Sequence, residues 1–398
     1  MIPEYRRDFN ARFSEEKYAN FLAELQRRCG VPVKFRCNET PCFLPKELID
    51  RMVAAGEDLI GQLVHNESYL KAASALIPTE YRVPAPSDRP LFIQADFGIV
   101  REEQGGWAPR LVEIQGFPSL YAFQLTLAQT YKDVYGLDPE LRTMLDGLDE
   151  QAYGSLLKQA ILRGHDPAEV VLLEADPLEQ KTLPDFLETQ RHVGIPTVDI
   201  STVWSENGKL YYSDGSRQIR IRRIYNRAIA DELIRKKTPM AFRFSDDLDV
   251  EWAGNPNWYF LISKFSLPCL RHETVPRTWF LSDLTELPLD PERLVLKPLF
   301  SFAGLGVIVG PTKEDIAAVP DLQRKDYILQ ERMDFAGVIE TPSGPDKAEV
   351  RIMYIWADRL RAVNTIVRTG RGKMMGVDHN RNLDWVGASA AFFPSRAC

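Results

Sequence analysis

The stretch at residues 294–309 constrains the fold of this chain more than any other. Two aliphatic runs flank a short segment that carries glycines at 304 and 306. This pattern predicts two strands joined by a flexible loop, because aliphatic residues favour strands and glycines interrupt them. Lys297 lies near the end of the first strand, and glycines allow backbone N–H groups to converge on one anion. The stretch therefore indicates a phosphate clamp, although a hairpin with a glycine-rich turn and a surface lysine has the same pattern.

Two familiar phosphate-binding motifs do not fit the sequence. No G-x-x-x-x-G-K-[ST] loop occurs, and the dinucleotide fingerprint requires glycines at a turn from strand to helix. A strand on each side of the loop instead favours a flap formed by a β-hairpin.

Composition limits the class of protein. The 398 residues are enough for two or three packed domains, and 44% hydrophobic and 26% charged residues are typical of a globular protein. A net charge of −7 argues against general binding to nucleic acid or anionic membranes. No run reaches the ~20 apolar residues of a membrane helix, and the N-terminus lacks the apolar core of a secretory signal. With five scattered cysteines, we expect a cytoplasmic protein with free thiols.

The chain divides into four predicted parts of an α/β (α+β) fold. Residues 1–90 have mainly helical spacing of apolar positions, and residues 91–125 predict two strands. Residues 126–250 alternate between strand and helix, which implies a parallel β-α-β sheet. Residues 251–398 contain the clamp and most of the concentrated positive charge. We expect this last part to bind the nucleotide.

The two strands predicted near residues 91–118 carry oxygen ligands. Asp96 lies on the first strand, and Glu113 and Gln115 lie on the second. Glu113 and Gln115 are two positions apart and therefore share one face of their strand. Carboxylate and amide oxygens suit Mg²⁺, a hard ion that shares its ligands with phosphates. An acid on an edge strand with a solvated face is the alternative.

Cations are concentrated in the last third of the chain. Lys264 lies in an apolar segment, where a lysine usually needs an anionic partner, or it extends its ammonium group to the surface. Arg351 and Arg368 lie on predicted strands within a region rich in arginine. Guanidinium groups match the oxygens of a triphosphate or an acyl phosphate. A solvated basic face would have the same composition.

In chain order these motifs resemble the nucleotide-binding half of an ATP-grasp ligase. The upstream position of the metal ligands is similar to circularly permuted ATP-grasp proteins such as glutathionylspermidine synthase. The resemblance covers about residues 90–125 and 255–398. It implies lysines that bind the phosphates, a flap, a hinge that contacts adenine, and arginines at the reacting groups. In this sequence the residues at these positions are Lys264, Lys297, Ser301, Gly304, Gly306, Gln330, Glu331, Met333, Arg351 and Arg368. It also implies that Asp96, Glu113 and Gln115 bind the metal.

The sequence departs from this family at two positions. Gln115 stands where asparagine is usual, and Gln94 stands where the synthase has an arginine. The first change keeps an amide oxygen for Mg²⁺. The second brings a shared acyl substrate into question. We also expect no amidase domain and no N-terminal cysteine nucleophile of the kind found in the bifunctional synthase.

The resemblance implies a circularly permuted ATP-grasp fold with a pre-ATP-grasp-like α/β domain. It implies a ligase that uses ATP and Mg²⁺ to join a small-molecule carboxylate to an amine, or to a thiol, through an acyl phosphate. Lys297, Arg351 and Arg368 would be catalytic. A small-molecule kinase and a non-catalytic nucleotide-binding protein are the alternatives. The oligomeric state, for which a homodimer is one candidate, does not follow from the sequence.

Overall fold

A computed structural model describes residues 1–300, 304–376, 380 and 382–395 of the chain. The helices in this part are α1 (Pro3–Arg12), α2 (Glu15–Cys29), α3 (Lys46–Val64), α4 (Glu67–Ser74), α5 (Phe123–Tyr135), α6 (Glu150–Leu162), α7 (Leu183–Val193), α8 (Ala230–Lys236), α9 (Asn257–Leu261) and α10 (Lys313–Ala317). The strands are β1 (Cys42–Phe43), β2 (Phe92–Arg101), β3 (Trp107–Gln115), β4 (Leu141–Arg142), β5 (Val170–Glu174), β6 (Thr197–Asp199), β7 (Trp204–Glu206), β8 (Lys209–Ser213), β9 (Gln218–Ile221), β10 (Arg223–Asn226), β11 (Glu251–Ala253), β12 (Thr278–Phe280), β13 (Leu294–Pro298), β14 (Ile308–Val309), β15 (Tyr327–Glu331), β16 (Gly337–Thr341), β17 (Gly344–Trp356), β18 (Leu360–Gly370), β19 (Gly387–Ser389) and β20 (Ala391–Pro394). The mixture of helices and several sheets is an α+β architecture.

The central sheet joins distant parts of the chain. Its strand order is β19-β18-β17-β2-β3, and β16 also pairs with β17. All of these pairings are antiparallel. The register places Asp96 beside both Glu113 and Arg351, although Arg351 lies far along the sequence. The sheet therefore brings the early oxygen ligands next to the late arginines.

Alternation along β2 and β17 separates a packed face from a polar face. Ile93, Ala95 and Phe97 are buried in one hydrophobic cluster with Leu59 of α3 and Val350 of β17. The intervening positions carry the polar side chains, because successive residues of a strand point to opposite faces. Helix α3 thus covers one face of the sheet and leaves the polar face to the candidate site. The helical spacing predicted within residues 48–63 is confirmed by α3.

A second antiparallel sheet contains the predicted hairpin. Its order is β12-β15-β13-β14, and β13 and β14 pair as the sequence predicts, with Val295 opposite Val309. Strand β15 lies on the other side of β13, so that Lys297 is opposite Ile328. Ser301, which we expected in the flap, lies outside the described residues.

A parallel sheet forms the core of the middle region. Its order is β11-β10-β5-β6, and the parallel pairing of β5 with β6 confirms the predicted β-α-β unit. Strand β5 is buried along its whole length, as expected for a parallel strand covered on both faces. Two small sheets, β7-β8-β9 and β1-β20-β4, complete the fold. No helix in the described part of the chain is long and apolar enough to cross a membrane.

Candidate functional site

A cavity of about 540 Å³ is lined by the polar face of the central sheet and by the second sheet. This volume suits a small-molecule ligand. The predicted residues that line it are Glu113, Gln115, Lys264, Lys297, Gly304, Gln330, Glu331, Met333, Arg351 and Arg368. Asp96 and Gly306 are not among the lining residues. The structure therefore brings together most of the predicted site from parts of the chain that are far apart in sequence.

Asp96 lies beneath the cavity wall as the centre of an ion-pair network. Its Oδ1 accepts a hydrogen bond from Arg351 Nε at 2.6 Å, and its Oδ2 accepts one from Arg351 Nη2 at 2.7 Å. Arg368 Nη2 also donates to Oδ2 of Asp96 and to Glu349. Burial alone would raise the pKa of Asp96, but Arg351 and Arg368 hold it below its ordinary value. Asp96 is therefore a charged carboxylate with both oxygens already bonded.

Two glutamines extend this network toward β3. Gln94 accepts a hydrogen bond from Arg351 Nη1 at 2.7 Å. The amide of Gln115 donates to Glu113, and its oxygen accepts from Arg351 Nη2 at 3.4 Å. Gln94 and Gln115, at which the sequence departs from the ATP-grasp pattern, therefore both contact Arg351. The network holds the end of β3 against β17.

The two lysines approach the cavity from the opposite side. Lys297 Nζ donates to Gln330 Oε1 at 2.7 Å and to the carbonyl of Val112 at 3.3 Å. Lys264 Nζ lies 3.6 Å from Glu113 Oε2. Burial lowers the pKa of Lys297 to about 8, with the attraction of Glu113 and the repulsion of Lys264 as smaller effects. Lys297 is therefore protonated at neutral pH and loses its proton as the pH rises past about 8.

Glu349 is a cavity residue that the sequence-based prediction did not select. It lies two positions before Arg351 on β17 and opposite Arg368 on β18. Burial raises its pKa, although Arg368 acts in the other direction. The signal that could have identified it was its spacing of two positions from Arg351, which places both side chains on the same face of the strand.

The described residues contain no group of three or more His, Cys, Asp or Glu side chains that could hold a metal ion. A cage made only by protein is not expected for Mg²⁺, which is commonly bound by one or two carboxylates together with substrate phosphates. Glu113 and Glu349 line the cavity and meet that requirement. The donor set therefore fits Mg²⁺ that arrives with a nucleotide. Whether Asp96 and Gln115 take part stays a prediction.

The second sheet supplies a mostly apolar slot at one end of the cavity. Val295, Val307 and Val309 of the hairpin region line it. The side chain of Gln330 is used by Lys297, and that of Glu331 accepts from Arg277 at 3.0 and 3.1 Å. The backbone N–H groups of Glu331 and Arg332 also have partners, in the carbonyls of Arg277 and Arg293. The predicted hinge therefore contributes mainly its neighbouring valines to this part of the wall.

The other end of the cavity uses residues that no sequence motif indicated. Ser119 and Leu120 follow β3, and Lys181 and Thr182 come from the loop before α7. Asp185 of α7 accepts a hydrogen bond from the backbone N–H of Leu120 at 3.2 Å, which holds these two segments together. Sequence periodicity predicts the strand and the helix separately but not where the two segments meet.

Comparison with protein-family models and with curated proteins finds no match. Among solved structures, the chain is similar to a glutathione synthetase-like effector, GSS30, from Globodera pallida in its apo form. The two share 11% sequence identity with a TM-score of 0.62, over 95% of this chain and 96% of the effector chain. This similarity shows a related fold of the glutathione synthetase-like type.

Proposed function

We propose that this chain is an ATP- and Mg²⁺-dependent ligase that joins a small-molecule carboxylate to an amine or a thiol. The observation that carries the proposal is the shared cavity. Lys264 and Lys297 face it from one side, and Glu113, Glu349 and Arg368 face it from the central sheet. Paired lysines and an arginine match a triphosphate, and the carboxylates match its metal ion.

The chain order supports a circularly permuted ATP-grasp arrangement. Strands β2 and β3 precede the second sheet in sequence, yet β2 pairs with β17 in the central sheet, and β3 pairs with β2. The glutathione synthetase-like fold of the structural neighbour is consistent with a ligase scaffold. The name of that neighbour describes an effector and says nothing about the substrates of this chain.

The proposed reaction has two steps. The carboxylate oxygen of the acid attacks the γ-phosphorus of ATP, which forms an acyl phosphate and releases ADP. The amine nitrogen then attacks the acyl carbon, loses its proton and releases inorganic phosphate. Bound Mg²⁺ would offset negative charge on the β- and γ-phosphates. Because positioning and electrostatics supply most of the catalysis in phosphoryl transfer, a nucleophilic side chain is unnecessary.

We assign the parts of this reaction to particular side chains. Lys264 and Lys297 would bind the phosphates, with Gln330 holding the ammonium of Lys297 in place. Arg368 would stabilise charge on the transferred phosphoryl group. Its own pKa would be lowered by burial, but Glu349 and Asp96 raise it above its ordinary value, so it stays charged.

The direct test is mass spectrometry of products formed from a metabolite extract with ATP and Mg²⁺. A ligase gives ADP, free phosphate and a new amide or thioester whose mass equals acid plus nucleophile minus water. A stable phosphorylated product would instead support a kinase on the same scaffold. Absence of any ATP-dependent product, with ADP still bound, would favour a non-catalytic nucleotide-binding protein. The glutamine at position 115, where the ATP-grasp ligases usually have asparagine, is the observation that favours this last alternative.

A further inference from the structure

Both oxygens of the Asp96 carboxylate are already bonded to arginine. Its side chain is 1% exposed and does not line the cavity. Both oxygens accept hydrogen bonds from Arg351, and Oδ2 also accepts from Arg368. A cation at Asp96 would have to share this buried carboxylate with two guanidinium groups or displace one of them, and displacement would leave a buried guanidinium without its partner.

Arg351 is immobilised by its partners. Its side chain is 9% exposed, and its Nε, Nη1 and Nη2 atoms all donate to Asp96 or to Gln94. Gln94 in turn donates from its amide to the carbonyl of Ser119 at 2.9 Å. A guanidinium bound to a carboxylate through two parallel hydrogen bonds has a fixed orientation. The ion pair of Arg351 with Asp96 therefore has a fixed orientation in the cavity wall, which Arg351 lines and Asp96 lies behind.

Arg368 differs from Arg351 in its exposure. Both line the cavity, but the side chain of Arg368 is 26% exposed and that of Arg351 is 9% exposed. The bonds of Arg368 to Asp96 and Glu349 both use Nη2. Asp96 thus holds one side of this guanidinium while the side chain remains accessible.

We propose that Asp96 is a positioning residue, which fixes Arg351 and presents Arg368 to an anionic group of the ligand, and that it is not a ligand of Mg²⁺. The identity of that group as a phosphoryl or carboxylate rests on the proposed function. Glu113 and Glu349 remain as the carboxylates for the metal. This assignment departs from the sequence-based prediction, which placed Asp96 among the metal ligands.

The first test measures binding of Mn²⁺ in the presence of ADP by electron paramagnetic resonance. Glu113→Gln should raise the Mn²⁺ dissociation constant at least about tenfold more than Asp96→Asn does, because only Glu113 supplies an oxygen to the ion. Equal losses in the two variants would overturn the proposal. Arg351→Lys provides a milder variant in case Asp96→Asn does not fold. It keeps the positive charge and should leave Mn²⁺ binding almost unchanged, and a loss equal to that of Glu113→Gln would overturn the proposal.

The second test needs neither nucleotide nor metal. Phenylglyoxal labelling followed by peptide mass spectrometry should modify Arg217, which is 77% exposed, faster than Arg368, and Arg368 faster than Arg351. In Asp96→Asn, labelling of both Arg351 and Arg368 should accelerate relative to Arg217. Unchanged relative rates would refute the positioning role. If the wild-type chain binds neither ADP nor Mn²⁺, the proposed function fails, and the labelling rates still decide the role of Asp96.

Discussion

Lys297 is the residue whose chemistry depends most on its surroundings. It is buried, and the glutamine and carbonyl that accept its hydrogen bonds are both neutral. Burial therefore outweighs the attraction of Glu113 and lowers its pKa to about 8. A bound phosphate would favour the protonated form, so the pKa of Lys297 should be higher in the nucleotide complex than in the free protein.

This difference predicts how nucleotide affinity varies with pH. Below about pH 8 Lys297 is already protonated in the free protein, and the affinity for ADP has its full value. As the pH rises past about 8, binding must be accompanied by proton uptake, and the affinity for ADP should fall by up to about tenfold per pH unit. Isothermal titration calorimetry from pH 6.5 to 9.5, at constant Mg²⁺, measures this slope.

Lys297→Arg is the matched control, because arginine stays protonated throughout this pH range. Its affinity for ADP should be nearly independent of pH. The same slope in the variant would assign the pH dependence to another group.

At the scale of elements, local patterns in the sequence were informative. Alternation and glycine placement predicted the β13–β14 hairpin, and helical spacing predicted α3, because these signals depend on neighbours along the chain. Pairing of β2 with β17 depends instead on a contact between distant strands. No local pattern encodes that contact, so the ion pair between Asp96 and Arg351 could not be predicted.

Gly98 of β2 packs closely against Phe335, which is distant in sequence. A Cβ atom at this position would lie 1.8 Å from Cε1 of Phe335, a residue of the cavity wall. Gly98→Ala should displace the ring, lower the free energy of unfolding by about 1–3 kcal/mol and weaken ADP binding. Thermal denaturation and ADP titration measure the two effects.

Gly61→Ala in α3 is the matched substitution, because a Cβ there has no neighbour within 4 Å. Alanine in a helix interior should stabilise the protein by about 0.5–1 kcal/mol. If Gly98→Ala also raised the melting temperature, the close approach of Phe335 to β2 would be wrong.

At the scale of the whole molecule, the site exists only where separate sheets meet. Most of the residues that the resemblance to a known family selected line the cavity, since their order along the chain follows its motifs. The resemblance did not select Glu349, or Thr182 from the loop before α7. Thr182 belongs to no motif, and its place in the wall follows from the packing of one sheet against another.

The central claim is that the cavity binds the phosphates of a magnesium nucleotide through lysines on its second-sheet side. Isothermal titration of Mg·ADP into the wild-type chain, the Lys264→Ala/Lys297→Ala variant and Lys325→Ala measures this directly. Lys325 is an exposed lysine outside the cavity and serves as the control. We expect one saturable site in the wild type and in Lys325→Ala, and affinity weakened at least about a hundredfold in the double variant, as the loss of two charge-assisted contacts implies. Equal affinity in all three proteins, or no binding to the wild type, would contradict the account.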